Sequence, residues 1–233
     1  MNRQAVNPYL PSWEYIPDGE PHVFNGRVYV YGSHDRFNAP IFCVNDYVCW
    51  SAPVEDLSEW RYEGVIYRKK QDPKHPLGYH LLFAPDVCQG PDGRYYLYYA
   101  FDFLGIMSVA VCDTPAGEYK FLGHIHYADG TLWGRRRGDQ LPFDPGVLVD
   151  DDGRVWLYSG FYNAVPAILT GGHKLRCDGG TVLELEKDMV TIKTEPRVIF
   201  PKKGPGAFQG HEFFEASSIR KEGKTYIFVY SSR

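Results

Sequence analysis

Residues 85–102, PDVCQGPDGRYYLYYAFD, carry a layout that decides the fold: an acidic residue, a short apolar strand, a turn centred on glycine, and an aromatic-rich second strand. The layout recurs at residues 17–35 (PDGEPHVFNGRVYVYGSHD), 143–160 (FDPGVLVDDDGRVWLYSG) and 214–233 (FEASSIRKEGKTYIFVYSSR). The turn glycines Gly26, Gly93, Gly153 and Gly223 lie 67, 60 and 70 residues apart. Each follows Asn, Asp or Glu and precedes Arg or Lys. Asn-Gly and Asp-Gly suit hairpins because these residues tolerate positive φ; Glu222-Gly223 is the weaker version.

Two further strands are expected after each of the first hairpins. In the first unit they are Asp46 to Ser51 and Arg61 to Tyr67, and in the second Ile106 to Cys112 and Tyr119 to Ile125. Pro and Gly interrupt nearly every long window, and helical periodicity is poor. Four strands per repeat, at a period of 60–70 residues, predict an all-β chain built as a β-propeller. A sandwich would space its strands similarly but would show no repeated super-unit. The aromatic content of 16%, with 24 glycines, favours the same class.

Composition excludes other classes. The net charge of −4 lacks the basic footprint that nucleic-acid binding needs, so no nucleic-acid partner is expected. No apolar run reaches the roughly 18–20 residues that span a bilayer, so no membrane partner is expected either. Met1 to Trp13 has no basic-then-apolar signal pattern, which predicts a cytoplasmic protein, secretion being the alternative. Five cysteines (Cys43, Cys49, Cys88, Cys112, Cys177) without a C-x-x-C pair read as reduced structural thiols, with disulfides as the alternative. His124 and His126 share a strand face and read as a solvated pair. No histidine spacing is typical of a zinc site.

In a propeller the innermost strand of every blade runs along the central channel. A residue at its start, repeated in each blade, lands around one mouth. Those residues are Asp18, Asp86, Asp144 and Glu215. Converging carboxylates repel, so the arrangement calls for protonation, hydrogen bonding or metal binding. Carboxyls in different environments are also what acid–base cleavage of a glycosidic bond requires. Glu215 follows Phe213-Phe214, an apolar setting that raises a carboxyl pKa and suits a general acid. Bland readings stand beside these: Asp18 as a turn residue, Asp86 as a strand cap, and Asp150-Asp151-Asp152 as a solvated hairpin and not a calcium loop. Trp13, Tyr15, Phe83, Phe143 and Phe214 offer platforms for sugar faces, though a single aromatic in a strand-rich chain is more often core.

These motifs resemble glycoside hydrolase family 43, the five-bladed β-propeller xylosidases, arabinofuranosidases and arabinanases. Asn7-Pro8-Tyr9-Leu10 through Asp18-Gly19-Glu20-Pro21-His22-Val23-Phe24 is similar to its opening strand. Phe83-Ala84-Pro85-Asp86 is similar to its W-A-P-D element, with Phe in place of Trp. Phe143-Asp144-Pro145 with Asp151-Asp152-Gly153 resembles the third-blade motif, and Phe214-Glu215-Ala216 falls where E-G-P is common. The resemblance implies Asp18 as general base, Glu215 as general acid and Asp144 as modulator of the acid. It also implies Asp86, Phe83, Phe143, His34 and Asp35 at the substrate pocket. An inverting reaction on α-L-arabinofuranosyl or β-D-xylosyl linkages of plant-polysaccharide oligosaccharides follows, with Asp18 and Glu215 roughly 6.5–9.5 Å apart. No cofactor is required by that chemistry. The family often holds a structural calcium ion in the channel, bound through water and a His of a later blade, but no dedicated calcium loop is visible. The alternatives are a non-catalytic carbohydrate-binding propeller and a protein-interaction propeller whose carboxylates cap strands.

The chain reads as a single propeller domain, residues 1–233. At 60–70 residues per blade it covers about three and a half blades, against the five that the resemblance implies. It is therefore expected to be an amino-terminal portion that needs its missing C-terminal part to close the ring. Open sheet edges would make it poorly soluble or inactive by itself.

Overall fold

The computed structural model describes residues 8–203, 206 and 208–232. Asn7, in the expected opening motif, and Arg233, at the end of the fourth repeat, lie outside the described residues. Among the described residues, fourteen strands and one 3-10 turn (Lys69–Gln71) make up the regular structure. The first sheet runs in order β1 (Glu20–Phe24), β2 (Arg27–Tyr31), β3 (Tyr47–Pro53) and β4 (Arg61–Tyr67). The second runs β5 (Asp86–Gln89), β6 (Tyr95–Ala100), β7 (Met107–Cys112) and β8 (Lys120–His124). The third runs β9 (Gly146–Val149), β10 (Val155–Phe161), β11 (Gly179–Leu185) and β12 (Arg197–Pro201). A two-stranded sheet, β13 (Phe213–Glu222) with β14 (Thr225–Ser232), completes the described residues. Every pairing between these strands is antiparallel, and the strands expected from sequence agree to within two residues. The inner strands β1, β5, β9 and β13 lie side by side, as blades around a channel require.

The turns repeat as the sequence does. Gly26, Gly93, Gly153 and Gly223 all have positive φ (76°, 84°, 79° and 57°). Asn25 joins Gly26 at φ 51°, so the first hairpin closes over two residues. In the second and third blades the loop is longer. Gly90 N donates to Arg94 O at 2.8 Å, and Asp150 N to Arg154 O at 2.8 Å. There Asp-Gly lies within a five-residue connection in place of a tight two-residue turn.

Period-2 alternation explains the tyrosines of β6. Tyr95, Leu97 and Tyr99 face the first blade and pack with Tyr29, Tyr31, Cys49 and Tyr67. Tyr96 and Tyr98 face the third blade and pack with Val147, Val155, Leu157 and Leu183. A strand buried on both faces is necessarily apolar throughout, yet each phenol needs a partner for its hydroxyl. Tyr98 donates to Met189 O (2.9 Å), Tyr99 to Asp72 Oδ2 (3.0 Å) and Tyr96 to Asp92 Oδ2 (2.7 Å).

Two expectations are corrected in this packing. His124 is not solvated: its Nε2 lies 3.2 Å from Asp72 Oδ1, and its side chain is largely buried. Asp150 is also buried, and accepts from Lys221 Nζ and from Tyr226 OH at 2.5 Å, tying the third blade to the fourth. Only its neighbours Asp151 and Asp152 are solvent-facing. All five cysteines are free thiols.

Candidate active site

The connection that enters each inner strand opens at the same mouth of the channel. Asp18 stands two residues before β1 and Asp144 two residues before β9; Glu215 lies within β13. Asp18 and Asp144 both take left-handed backbone conformations (φ 57° and 46°). Ala216, directly after Glu215, does the same at φ 63°, where β13 shifts register against β14. Such strain at non-glycine residues persists only where the surroundings enforce it. Here it turns each carboxyl off its strand and into one cleft.

That cleft, about 380 Å³, is lined by Asp18, Asp35, Asp144 and Glu215 and by a continuous set of phenylalanines. Phe103 stacks on Phe143 (5.3 Å between centroids, planes 7° apart), and Phe161 meets Phe143 at 4.7 Å. Phe83 meets both Phe42 and Phe143 at 5.6 Å. Phe214 closes the wall against Phe161 at 5.8 Å. Such a wall offers an apolar platform, and the carboxyls beside it offer hydrogen-bond acceptors.

The three carboxyls are graded in exposure. Asp18 is exposed, Glu215 half-buried and Asp144 buried. Burial pushes the Asp144 carboxyl well above its usual range, with the Glu215 charge and then that of Asp18 adding to the effect. Its Oδ2 accepts the N–H of Ala216 at 3.1 Å, which ties it to the backbone beside Glu215. Glu215 is itself raised, first by burial and then by the charge of Asp18. Like charges in one apolar cleft disfavour joint ionisation, so Asp144 and Glu215 retain protons to higher pH than free carboxyls would. Asp18 accepts a short hydrogen bond from Ser33 Oγ.

Of the other residues anticipated at the pocket, Phe83, Phe143 and Asp35 line it. Asp35 Oδ1 accepts the Cys43 N–H at 2.5 Å. Asp86 and His34 are placed elsewhere. His34 turns both ring nitrogens away, to Asp46 O (3.0 Å) and Glu14 Oε1 (2.9 Å). Asp86 is fully buried, with Oδ1 2.6 Å from His22 Nε2 and Oδ2 accepting Val147 N–H at 2.6 Å. The reason is register. Asp86 pairs with Tyr98 as Gly146 pairs with Tyr158, so Ala84, not Asp86, is the counterpart of Asp144. A displacement of two residues keeps Asp86 on the same strand face but moves it down the channel. Ala84 lines the cleft in its place. Trp13 also leaves the cleft, packing on Trp50 at 5.9 Å.

Phe42, Cys43, Phe103 and Phe161 were not anticipated. Phe161 ends β10 and Phe103 follows β6 by three residues. In an antiparallel hairpin the second strand ends where the first begins, so the positions just past each second strand were the available signal.

Glu20, His22 and Asp86 bring one donor atom each within 4.8 Å of one another in the channel. They do not suit the calcium ion that the resemblance implies, which takes six to eight oxygen ligands. Two carboxylates offer too few oxygens for it, and three of their four are already engaged in hydrogen bonds. Glu20 Oε1 accepts from Ser218 Oγ (2.8 Å) and from Arg220, while Asp86 accepts from His22, Val87 N and Val147 N. The positive charge beside Glu20 is the Arg220 guanidinium.

Comparison with known proteins bears on the family and the fold. The chain is 60% identical over its whole length to a xylosidase/arabinosidase of Thermoclostridium stercorarium, of which it spans 48%. It is 31% identical to xylosidase/arabinosidase 43A of Humicola insolens, over 94% of the chain and 72% of that protein. A crystal structure of a GH43 β-xylosidase/α-arabinofuranosidase from a compost microbial metagenome, in complex with xylotriose, superposes with a TM-score of 0.72. That match has 27% identity and covers 98% of this chain and 73% of that one. The chain thus spans about half the length of its 60%-identical relative. The pattern of Glycosyl hydrolases family 43 matches residues 17–233, and the chain belongs to that family.

Proposed function

We propose that the protein is an inverting glycosidase that hydrolyses α-L-arabinofuranosyl or β-D-xylosyl linkages of plant-derived oligosaccharides. The observation that carries this is the convergence of Asp18, Asp144 and Glu215, from three separate blades, in one phenylalanine-walled cleft. The names of the relatives support the sugar class. Neither the geometry nor the relatives favour a non-catalytic carbohydrate-binding propeller.

Asp18, the solvent-facing member, takes a proton from water as that water attacks the anomeric carbon. Glu215, whose pKa is raised by burial and by the Asp18 charge, donates its proton to the departing glycosidic oxygen. The anomeric carbon–oxygen bond breaks as the new one forms on the opposite face, giving the inverted sugar. Asp18 is left protonated and Glu215 ionised, and exchange with solvent resets both. Asp144 holds the backbone behind Glu215 by accepting the Ala216 N–H. The two carboxyls supply both proton transfers, so the chemistry calls for no cofactor.

The test is hydrolysis of aryl α-L-arabinofuranoside and aryl β-D-xyloside, with the product anomer followed by proton NMR. Inversion is expected, and retention would overturn the mechanism. Sugar binding without turnover would overturn the catalytic reading.

A further inference from the structure

We propose that Ser33 is a positioning residue for Asp18, selecting which carboxylate oxygen faces the attacking water; this rests on the reading of Asp18 as base. Ser33 follows β2 by two residues and is fully buried, whereas Asp18 is exposed. Its hydroxyl has one proton. The strong acceptor within reach is Asp18 Oδ2; Pro17 O lies at 3.4 Å, and the neutral Cys43 thiol beside the hydroxyl is a weak acceptor. Oδ2 is thereby occupied, and Oδ1 is the oxygen left to the cleft.

The surrounding chain is shaped to bring the two together. Asp18 is at φ 57°, so its side chain folds back across the end of β2 instead of continuing along β1. The segment before it packs on Gly32. A Cβ there would stand 2.5 Å from Ile16 Cγ2 and 2.7 Å from Pro17 O, so any larger residue would push the Asp18 turn off Ser33. Neighbouring groups secure the other side. Asp35 N donates to Tyr15 O at 3.0 Å, and Asp35 Oδ1 holds the Cys43 N–H. The serine is thus fixed from both flanks, while the carboxylate it holds stands in an otherwise open turn.

A base misdirected by a fraction of an ångström costs rate without costing affinity, because the water and not the sugar is misplaced. In Ser33→Ala, kcat on an aryl glycoside is expected to fall about tenfold to a hundredfold, with KM within about twofold. Ser33→Thr, which keeps the hydroxyl, is expected to recover most of that loss. The deciding measurement is a cycle with Asp18→Asn. If Ser33 acts through Asp18, the double variant matches Asp18→Asn alone; a purely structural serine would cost the same factor in both backgrounds. Unchanged kcat in Ser33→Ala, or an equal loss in both backgrounds, overturns the proposal while leaving Asp18 as base. Wild-type turnover in Asp18→Asn overturns the base reading and the proposal together.

Discussion

Asp86 Oδ2 accepts the backbone N–H of Val147 at 2.6 Å, so a carboxylate on the second blade's inner strand is bonded to the backbone of the third's. Oδ1 meanwhile meets His22 Nε2 of the first blade. One side chain therefore joins three blades at the channel.

Removing it leaves His22 and two amides without their acceptor in a buried site. Asp86→Ala is expected to cost about 3–5 kcal/mol, and Asp86→Asn, which keeps one acceptor, about 1–2 kcal/mol. Chemical denaturation checks both. Because Asp86 lies outside the cleft, KM in Asp86→Asn stays within about twofold of wild type. A tenfold rise in KM at unchanged stability would return Asp86 to the substrate.

Asp144 works against stability. Its folded pKa lies above the unfolded value, so the unfolded chain releases that proton first as pH rises. Its contribution is complete below the ordinary aspartate range and is lost as pH rises toward the folded pKa. Asp144→Asn is therefore expected to melt about 2–4 °C higher at neutral pH, with the difference vanishing in acid. Its kcat should fall about a hundredfold. A lower melting temperature at neutral pH contradicts this account.

Glu215 is needed only where the leaving group needs a proton. Glu215→Gln should lose about 10²- to 10⁴-fold in kcat on oligosaccharides but far less on a dinitrophenyl glycoside, whose leaving group departs as the anion. For the wild type, activity on oligosaccharides declines as pH rises through a pKa above the ordinary glutamate value. Equal losses on both substrates would remove Glu215 from the acid role.

His75 is buried against Phe101 (4.0 Å) and His80 (4.2 Å), and neither ring nitrogen has a hydrogen-bond partner among the described residues. Burial, helped by the His80 charge, depresses its pKa to about 4. The unfolded chain protonates this residue first as pH falls. Stability should accordingly drop between about pH 6.5 and 4, by about 3 kcal/mol at most, and level off below. Melting curves of wild type and His75→Phe across that range test it. The variant should show the smaller acid slope.

The hairpins were legible because local chemistry specifies them: Asn25-Gly26 must turn, and tyrosines alternating along β6 must be buried on both faces. Asp18, Asp144 and Glu215 were legible through repetition, since each precedes or opens an inner strand. Asp86 was misplaced for the same reason. Pro85-Asp86 looks like Pro17-Asp18, yet β5 begins at Asp86 itself, and pairing of Asp86 with Tyr98 is a tertiary fact. His34 adjoins Asp35 in sequence, but adjacent residues past a strand point to opposite sides, and Glu14 captures the imidazole.

From sequence alone came the four repeats, the all-β class, the turn positions and the three acids, because each depends on residue type at a fixed local spacing. Tertiary structure alone decided which aromatics form the cleft wall, with Phe42 and Phe103 arriving from loops and Phe161 from the end of β10. It also decided that Arg220 stands beside Glu20 in the channel, 200 residues away along the chain. Convergence of distant segments depends on blade packing and strand register, and a one-dimensional pattern does not encode either until the sheets are in contact.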